Sequence, residues 1–117
     1  MSHVVHSAIL VTGMIESHLT MAYNEAKRLG LHIIGPSDPM INGYRTFIVQ
    51  SNGSKDGWEE GDEDQVMRDR FEQWLITQTL PDSPVVLEWC RISYGYDVRL
   101  ETIFGPGIAG DSGKESS

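Results

Sequence analysis

The first thirty residues change from a strand pattern to a helix pattern, and this change restricts the fold more than any other feature of the chain. Residues 3–12, HVVHSAILVT, are rich in β-branched and aliphatic residues, which is typical of a buried central strand. In the next segment the apolar residues step by four, three, four and three positions and form one helical stripe: Ile15, Leu19, Ala22, Ala26 and Leu29. A strand followed directly by an amphipathic helix predicts a fold in which helices pack against a sheet.

Residues at both ends of this segment favour a helix. Thr12 or Gly13 is expected to cap its start. Lys27 and Arg28 suit the negative end of the helix dipole, and Gly30 is expected to follow the last turn as the C′ residue.

The middle of the chain predicts two short strands around an irregular turn. The strands are expected at Leu31–Ile34 and Tyr44–Gln50. Between them, GPSDPMING contains two prolines and two glycines, which forbid regular structure. Its Asn42-Gly43 pair favours a turn because both residues accept positive φ.

A second amphipathic helix is predicted to end before Pro81. Its buried face is marked by residues at helical spacing: Met67, Phe71, Trp74, Leu75 and Gln78.

The last regular segment predicts a β-hairpin with strands near Val85–Ser93 and Tyr96–Phe104, joined at Tyr94-Gly95. Two registers are open. Pairing Ser93 with Asp97 places Cys90 opposite Leu100, whereas a two-residue loop pairs Trp89 with Leu100.

The resulting order, β-α-β-β-α-β-β, predicts an α+β fold. We expect a two-layer sandwich in which an antiparallel sheet carries two helices on one face, in the ferredoxin-like order with one extra C-terminal strand. Residues 1–105 are expected to form a single domain, and residues 106–117 a disordered tail, because GPGIAGDSGKESS has almost nothing to bury.

The charge of the chain is concentrated in one region. The formal net charge is −8, and residues 51–82 contain nine acids and three bases. An acidic chain with no basic stripe is not expected to bind nucleic acid or an anionic membrane directly. No segment approaches the roughly 18 apolar residues of a membrane span. The single cysteine, Cys90, excludes an internal disulfide framework, so we expect a soluble, cytoplasmic protein.

The acidic stretch at 51–74 raises the question of a metal loop, and the spacing of its ligands argues against one. An EF-hand frame that starts at Asp56 places Met67 at position 12, where a glutamate is needed, and a frame from Asp62 places Val66 at position 5. Instead, Asp62, Glu63 and Asp64 are interpreted as the acidic first turn of the second helix. No metal and no cofactor are predicted. An acidic surface that imitates nucleic acid remains an alternative.

Aromatic and arginine residues supply the predicted binding residues. They cluster in the final hairpin and at the start of an inner strand, with one tryptophan in the acidic loop. Such a surface suits a protein partner or an anionic or aromatic small ligand. The structural alternative is that the tyrosines and tryptophans border the core while the arginines pair with Asp97 and Glu101. The predicted site residues are Tyr44, Arg45, Trp58, Trp89, Arg91, Tyr94 and Tyr96.

The predicted function is that of a small non-enzymatic binding or interaction protein, an accessory or inhibitor protein that acts through its sheet or an edge strand. A homo-oligomer is an expected form, because helices cover only one face of such a sheet. Two alternatives stay open: a small enzyme with its pocket between the sheet and a dimer partner, and the acidic imitation of nucleic acid described above.

Overall fold

The computed structural model of the 117-residue chain describes residues 4–51, 54–55, 59–95 and 102–104. Two α-helices, one short 3-10 helix (Ile41–Gly43) and six strands are present in these ranges. The strands are β1 (Val4–Gly13), β2 (Ile33–Ile34), β3 (Arg45–Val49), β4 (Ser54–Lys55), β5 (Glu88–Gly95) and β6 (Thr102–Phe104), and the helices are α1 (Glu16–Arg28) and α2 (Glu59–Gln78). The predicted α+β class is confirmed, with two helices on an antiparallel sheet.

The strands form one sheet with β1 near its centre. The order is β2-β3-β1-β5-β6, and β4 pairs with the first residues of β1. Every pair is antiparallel: Ile9 lies opposite Val49 of β3 on one side and opposite Arg91 of β5 on the other. The longest strand, predicted to be central from its β-branched and aliphatic content, therefore organises the sheet.

Both helices pack against the same face of this sheet. Side chains alternate between faces along a strand, so Ile9 and Val11 of β1 point to the same side as Phe47 and Trp89 on the neighbouring strands. These residues share one buried cluster with residues of α1 and α2, and the largest of its fully buried side chains are Phe47, Phe71, Ile9, Leu75, Val11 and Val49.

The start of α1 differs from the prediction. Ile15 is the N-cap residue, and it makes no side-chain capping hydrogen bond. Thr12 and Gly13 do not cap the helix because β1 continues through them, where they pair with Thr46 and Arg45 of β3. Pairing in the central strand thus takes precedence over a capping preference.

The end of α1 is formed as predicted, by a Schellman motif at Gly30. The amide of Leu31 donates to the carbonyl of Ala26 at 3.1 Å, and the amide of Gly30 donates to that of Lys27 at 2.9 Å. Gly30 has a φ of +79°, which a residue with a side chain rarely adopts.

Helix α2 begins earlier than the acidic triplet suggested. Its first residue is Glu59, so Asp62, Glu63 and Asp64 do not form the first turn. Asp64 instead accepts a hydrogen bond at 2.6 Å from Arg68, one turn further along. The predicted buried face is otherwise present, since Phe71 and Leu75 are fully buried and Met67 and Trp74 pack against the core.

The final hairpin has neither of the two predicted registers. Ser93 lies opposite Thr102, Ile92 opposite Ile103 and Arg91 opposite Phe104. Tyr94 and Gly95 are not a turn, because both belong to β5 and pair with His6 and Val5 of β1. The connection therefore comes later, over residues 96–101, which lie outside the described residues.

Neither of the described helices combines the length and apolar character that crossing a bilayer requires. The predicted C-terminal tail, residues 106–117, also lies outside the described ranges.

Candidate functional site

The sheet face opposite the two helices is the candidate site, and we call it the open face. It consists of alternate residues of four strands that point away from the helical layer. The described side chains of the open face are His6, Ala8, Leu10, Thr12, Ile34, Thr46, Ile48, Glu88, Cys90, Ile92 and Tyr94.

A continuous apolar row crosses the middle of the open face. Ile34 lies opposite Ile48, Ile48 opposite Leu10, and Leu10 opposite Cys90, so the row extends across four neighbouring strands. Ile48, Leu10 and Cys90 are half-buried and Ile34 is exposed. On the helical face, by contrast, Ile9, Val11, Phe47 and Val49 are fully buried. Next to the row, Ala8 lies opposite Ile92 of β5 on the same face; Ile92 is half-buried, and Ala8 is buried.

Polar side chains border this row at both ends. On the side toward the C-terminal end of β1, the hydroxyls of Thr12 and Thr46 are hydrogen-bonded at 2.8 Å. On the opposite side, the His6 and Tyr94 rings lie 5.1 Å apart, and the Tyr94 hydroxyl is hydrogen-bonded to Ser51 at 2.6 Å. Within the described part of the chain, Nδ1 of His6 is buried without a hydrogen-bond partner.

The open face is almost uncharged although the chain carries a net charge of −8. Glu88 is the one aspartate, glutamate, lysine or arginine among its described side chains. Cys90 is neutral as well, because burial raises the pKa of its thiol. A thiol kept protonated at neutral pH is a weak nucleophile and packs as a small apolar contact group.

Two of the predicted site residues belong to the helical face instead. Trp89 is buried in the core, and its indole N–H donates to Thr79 at 3.3 Å. Arg91 points toward α2, where its guanidinium forms an ion pair with Glu72 at 3.3 Å. The structure therefore does not bring these two side chains onto one surface with Tyr94.

The other predicted residues lie at the ends of the sheet. Tyr44 and Arg45 precede and begin β3, and Arg45 donates from Nε to the carbonyl of Ser37 at 2.9 Å. Tyr94 lies at the opposite end of the sheet, on the open face. Trp58 and Tyr96 lie outside the described residues.

Two buried charged residues of α2 were missed by the sequence analysis. Arg68 is 3% exposed and donates to Asp64, to the carbonyl of Ser7 at 2.5 Å and to the carbonyl of Gln50. Glu72 is 5% exposed, and burial raises its pKa although Arg91 acts in the opposite direction. The Asp64–Arg68 spacing of four was a usable signal, but the same spacing is common on exposed helix faces.

The described residues contain no group of three or more histidine, cysteine or acidic side chains placed to hold a metal ion. Comparisons with protein-family models, with curated proteins and with solved structures found no match to this chain.

Proposed function

We propose that this protein is a binding protein that acts through its open face, and that a second copy covers this face in a homodimer. The observation that carries the proposal is the apolar row of Ile34, Ile48, Leu10 and Cys90, which crosses four strands on the side away from both helices. When another surface excludes water from half-buried apolar side chains in such a row, the free energy of the complex falls.

The size of the open face supports a second copy as the occupant. The described strands contain about thirty residues, and each covers roughly 16 Å² of the sheet plane at 3.4 Å per residue and 4.8 Å between strands. Two copies stacked face to face would therefore bury about 1,000 Å², which is the lower limit for a specific interface.

The symmetry and charge of the face also favour self-association. Leu10 lies in β1, near the centre of the sheet, so a two-fold axis beside it would place the apolar rows of two copies against each other. Because Glu88 is the only formal charge among the described side chains of the face, two copies would meet with little repulsion.

The same arrangement supports the ferredoxin-like order as part of the proposal. In the order β2-β3-β1-β5, the strand that precedes each helix is separated by one antiparallel strand from the strand that follows it. Two such split βαβ units with helices on one side leave the other side of the sheet for association.

The environments of Cys90 and His18 support binding rather than catalysis. The Cys90 thiol has a raised pKa, and the imidazole of His18 accepts a hydrogen bond at 3.0 Å from the backbone N–H of Val86. Each group has a structural role, and neither activates the other.

Size-exclusion chromatography with light scattering tests the proposal. We expect a mass near 26 kDa for the wild type, twice the 13.1 kDa of one chain. Ile48→Lys should shift the mass toward one chain, because it places an unpaired charge in the apolar row. Val66→Lys is the matched control: Val66 is an exposed apolar residue of α2, and its substitution should leave the dimer intact. A wild-type protein that is folded and monomeric at a concentration of about 100 µM would contradict the proposal.

A further inference from the structure

Exposed apolar side chains concentrate at one end of the sheet, beyond the open face. Among the described residues, nine large apolar side chains are exposed, and six of them belong to segments at the C-terminal end of β1. We call this group the apolar end; it consists of Met14, Met40, Ile41, Tyr44, Leu80 and Val86.

The pairing of the strands brings these segments together. Gly13 lies opposite Arg45 and Thr12 opposite Glu88, so Met14, Tyr44 and Val86 follow or precede strands that finish at the same edge. A side chain at Gly13 would approach Leu87 to 2.8 Å, which shows how closely β1 meets the segment before β5. The indole N–H of Trp89 donates a hydrogen bond to the Thr79 hydroxyl and thereby holds the end of α2 at this edge as well.

The most exposed part of the apolar end is held in an ordered loop. The loop at residues 35–44 is fixed to β3 by Ser37, whose amide donates to the Thr46 carbonyl at 2.8 Å and whose hydroxyl accepts from the Thr46 amide at 3.1 Å. At its tip the amide of Met40 donates to the Tyr44 carbonyl at 2.8 Å. Even so, Met40 is 69% and Ile41 81% exposed.

An ordered loop that presents two apolar side chains to water is suited to binding. Its conformation is already fixed by backbone hydrogen bonds, so little conformational entropy is lost when a partner contacts it. Large apolar side chains on such a loop serve as anchors that fill a pocket on the partner.

Acidic residues surround the apolar end. Glu16, Asp38, Asp82 and Glu88 are all exposed at this end, and none of them forms an ion pair with a described residue. Arg45 is the one described lysine or arginine at this end, and its guanidinium is hydrogen-bonded to the Ser37 carbonyl. The local charge therefore favours a cationic partner.

We infer that the apolar end docks a protein segment that carries apolar side chains beside lysine or arginine. The apolar side chains would contact Met40, Ile41 and their neighbours, while the basic groups would pair with the acidic border. A bilayer is a poor match, because anionic headgroups would be repelled by the same border. None of the six apolar side chains is among the open-face residues, so the apolar contacts do not require the homodimer. Glu88 of the acidic border belongs to both surfaces.

Fluorescence anisotropy with two labelled peptides tests the inference. One is an amphipathic helical peptide of leucine and lysine, about 18 residues long, and the other replaces each lysine by glutamate. We expect the lysine peptide to bind with a Kd below about 100 µM. The glutamate peptide should bind at least about tenfold more weakly, because the acidic border of the apolar end repels its carboxylates. Salt should weaken binding of the lysine peptide.

Variants assign the binding to this end of the sheet. The double substitution Met40→Ser and Ile41→Ser should lower the affinity for the lysine peptide about tenfold or more. Val66→Ser, at an exposed apolar position of α2, should leave the affinity within about twofold, as expected away from the site. The mass from light scattering should be the same for the double variant as for the wild type, which separates this surface from the open face.

Four results would overturn the inference. The first is a Kd above about 100 µM for the lysine peptide, and the second is equal binding of both peptides. The third is equal weakening by Val66→Ser and by the double substitution. The last is binding to phosphatidylserine vesicles that the double substitution abolishes. The last result would identify a lipid surface as the ligand of the apolar end.

Discussion

Arg68 shows how one side chain joins separate parts of this fold. Its guanidinium reaches Asp64 on its own helix, the carbonyl of Ser7 in the central strand and the carbonyl of Gln50 after β3. A planar fork with five donors can satisfy three such acceptors at once, and lysine cannot reproduce that geometry. Arg68 therefore fixes α2 against the sheet in a way that apolar packing alone does not.

Replacing Arg68 tests this role. Arg68→Met should lower the free energy of unfolding by about 3 kcal/mol, because it removes the hydrogen bonds that Arg68 donates to Asp64 and to two backbone carbonyl groups. The free energy of unfolding of Arg68→Lys should lie between those of Arg68→Met and the wild type. Urea unfolding followed by circular dichroism measures the change. Arg70→Met, at an exposed position two residues away, is the control and should change the free energy by less than about 0.5 kcal/mol.

Glu72 gives the protein a pH dependence of known sign. Burial raises its pKa above the ordinary value of 4.5, so the folded state binds more protons than the unfolded state in the interval above that value. The contribution of Glu72 to the free energy of unfolding is therefore largest at low pH and declines as the pH rises through the folded pKa.

Comparison with Glu72→Gln isolates this contribution. Across a series from about pH 4 to pH 7, the difference in free energy of unfolding between wild type and variant should move in favour of the variant as the pH rises. Urea unfolding at each pH measures this difference. A difference that stays constant, or that moves in favour of the wild type, would contradict the assigned direction of the pKa shift.

At the scale of elements, local signals predicted what local interactions decide. The stripe from Ile15 to Leu29 predicted α1, and Gly30 predicted its end, because a helix and its Schellman motif involve neighbouring residues. The hairpin register was wrong because the partners of Tyr94 and Gly95 lie in β1, almost ninety residues away in the chain. Strand pairing over such a separation leaves little trace in a single sequence.

The candidate site shows the same division. Alternation along β1 and β5 determines which side chains share a face, and the sequence contains that alternation. It did not reveal that Trp89 and Arg91 point to the helices whereas Cys90 points away, because this depends on where α1 and α2 pack. Arg68 and Glu72 were missed because charged residues at helical spacing usually lie in solvent.

Gly30 offers a test of what stabilises the C-terminal end of α1. Gly30→Ala should lower the free energy of unfolding by about 1 kcal/mol, because a side chain at a φ of +79° is strained. No described atom lies within 4 Å of the added group, so the loss would come from the backbone and not from a clash. Thermal unfolding provides the readout. Asn24→Ala, within the exposed part of α1, should cause no loss, and equal effects of the two substitutions would refute the backbone explanation.

At the scale of the whole molecule, the two faces of the sheet differ in what packs against them. One face is filled by α1 and α2 and contains the core of the protein. The other has an apolar row, a single described charge and a protonated cysteine, and no described helix packs on it. We propose that another copy buries this second face and that the apolar end is a separate surface for a basic partner.

Cys90 permits a direct measurement of whether a second copy covers the open face, because it is the only cysteine in the chain and it lies in the apolar row. The rate of its alkylation by iodoacetamide at fixed pH should fall as the protein concentration rises, since dimerisation covers the thiol. In Ile48→Lys the rate should be faster and independent of concentration. Light scattering over the same concentration range shows whether dimers form. If they form while the wild-type alkylation rate stays constant, the dimer contact lies elsewhere, and the proposed contact through the open face is contradicted.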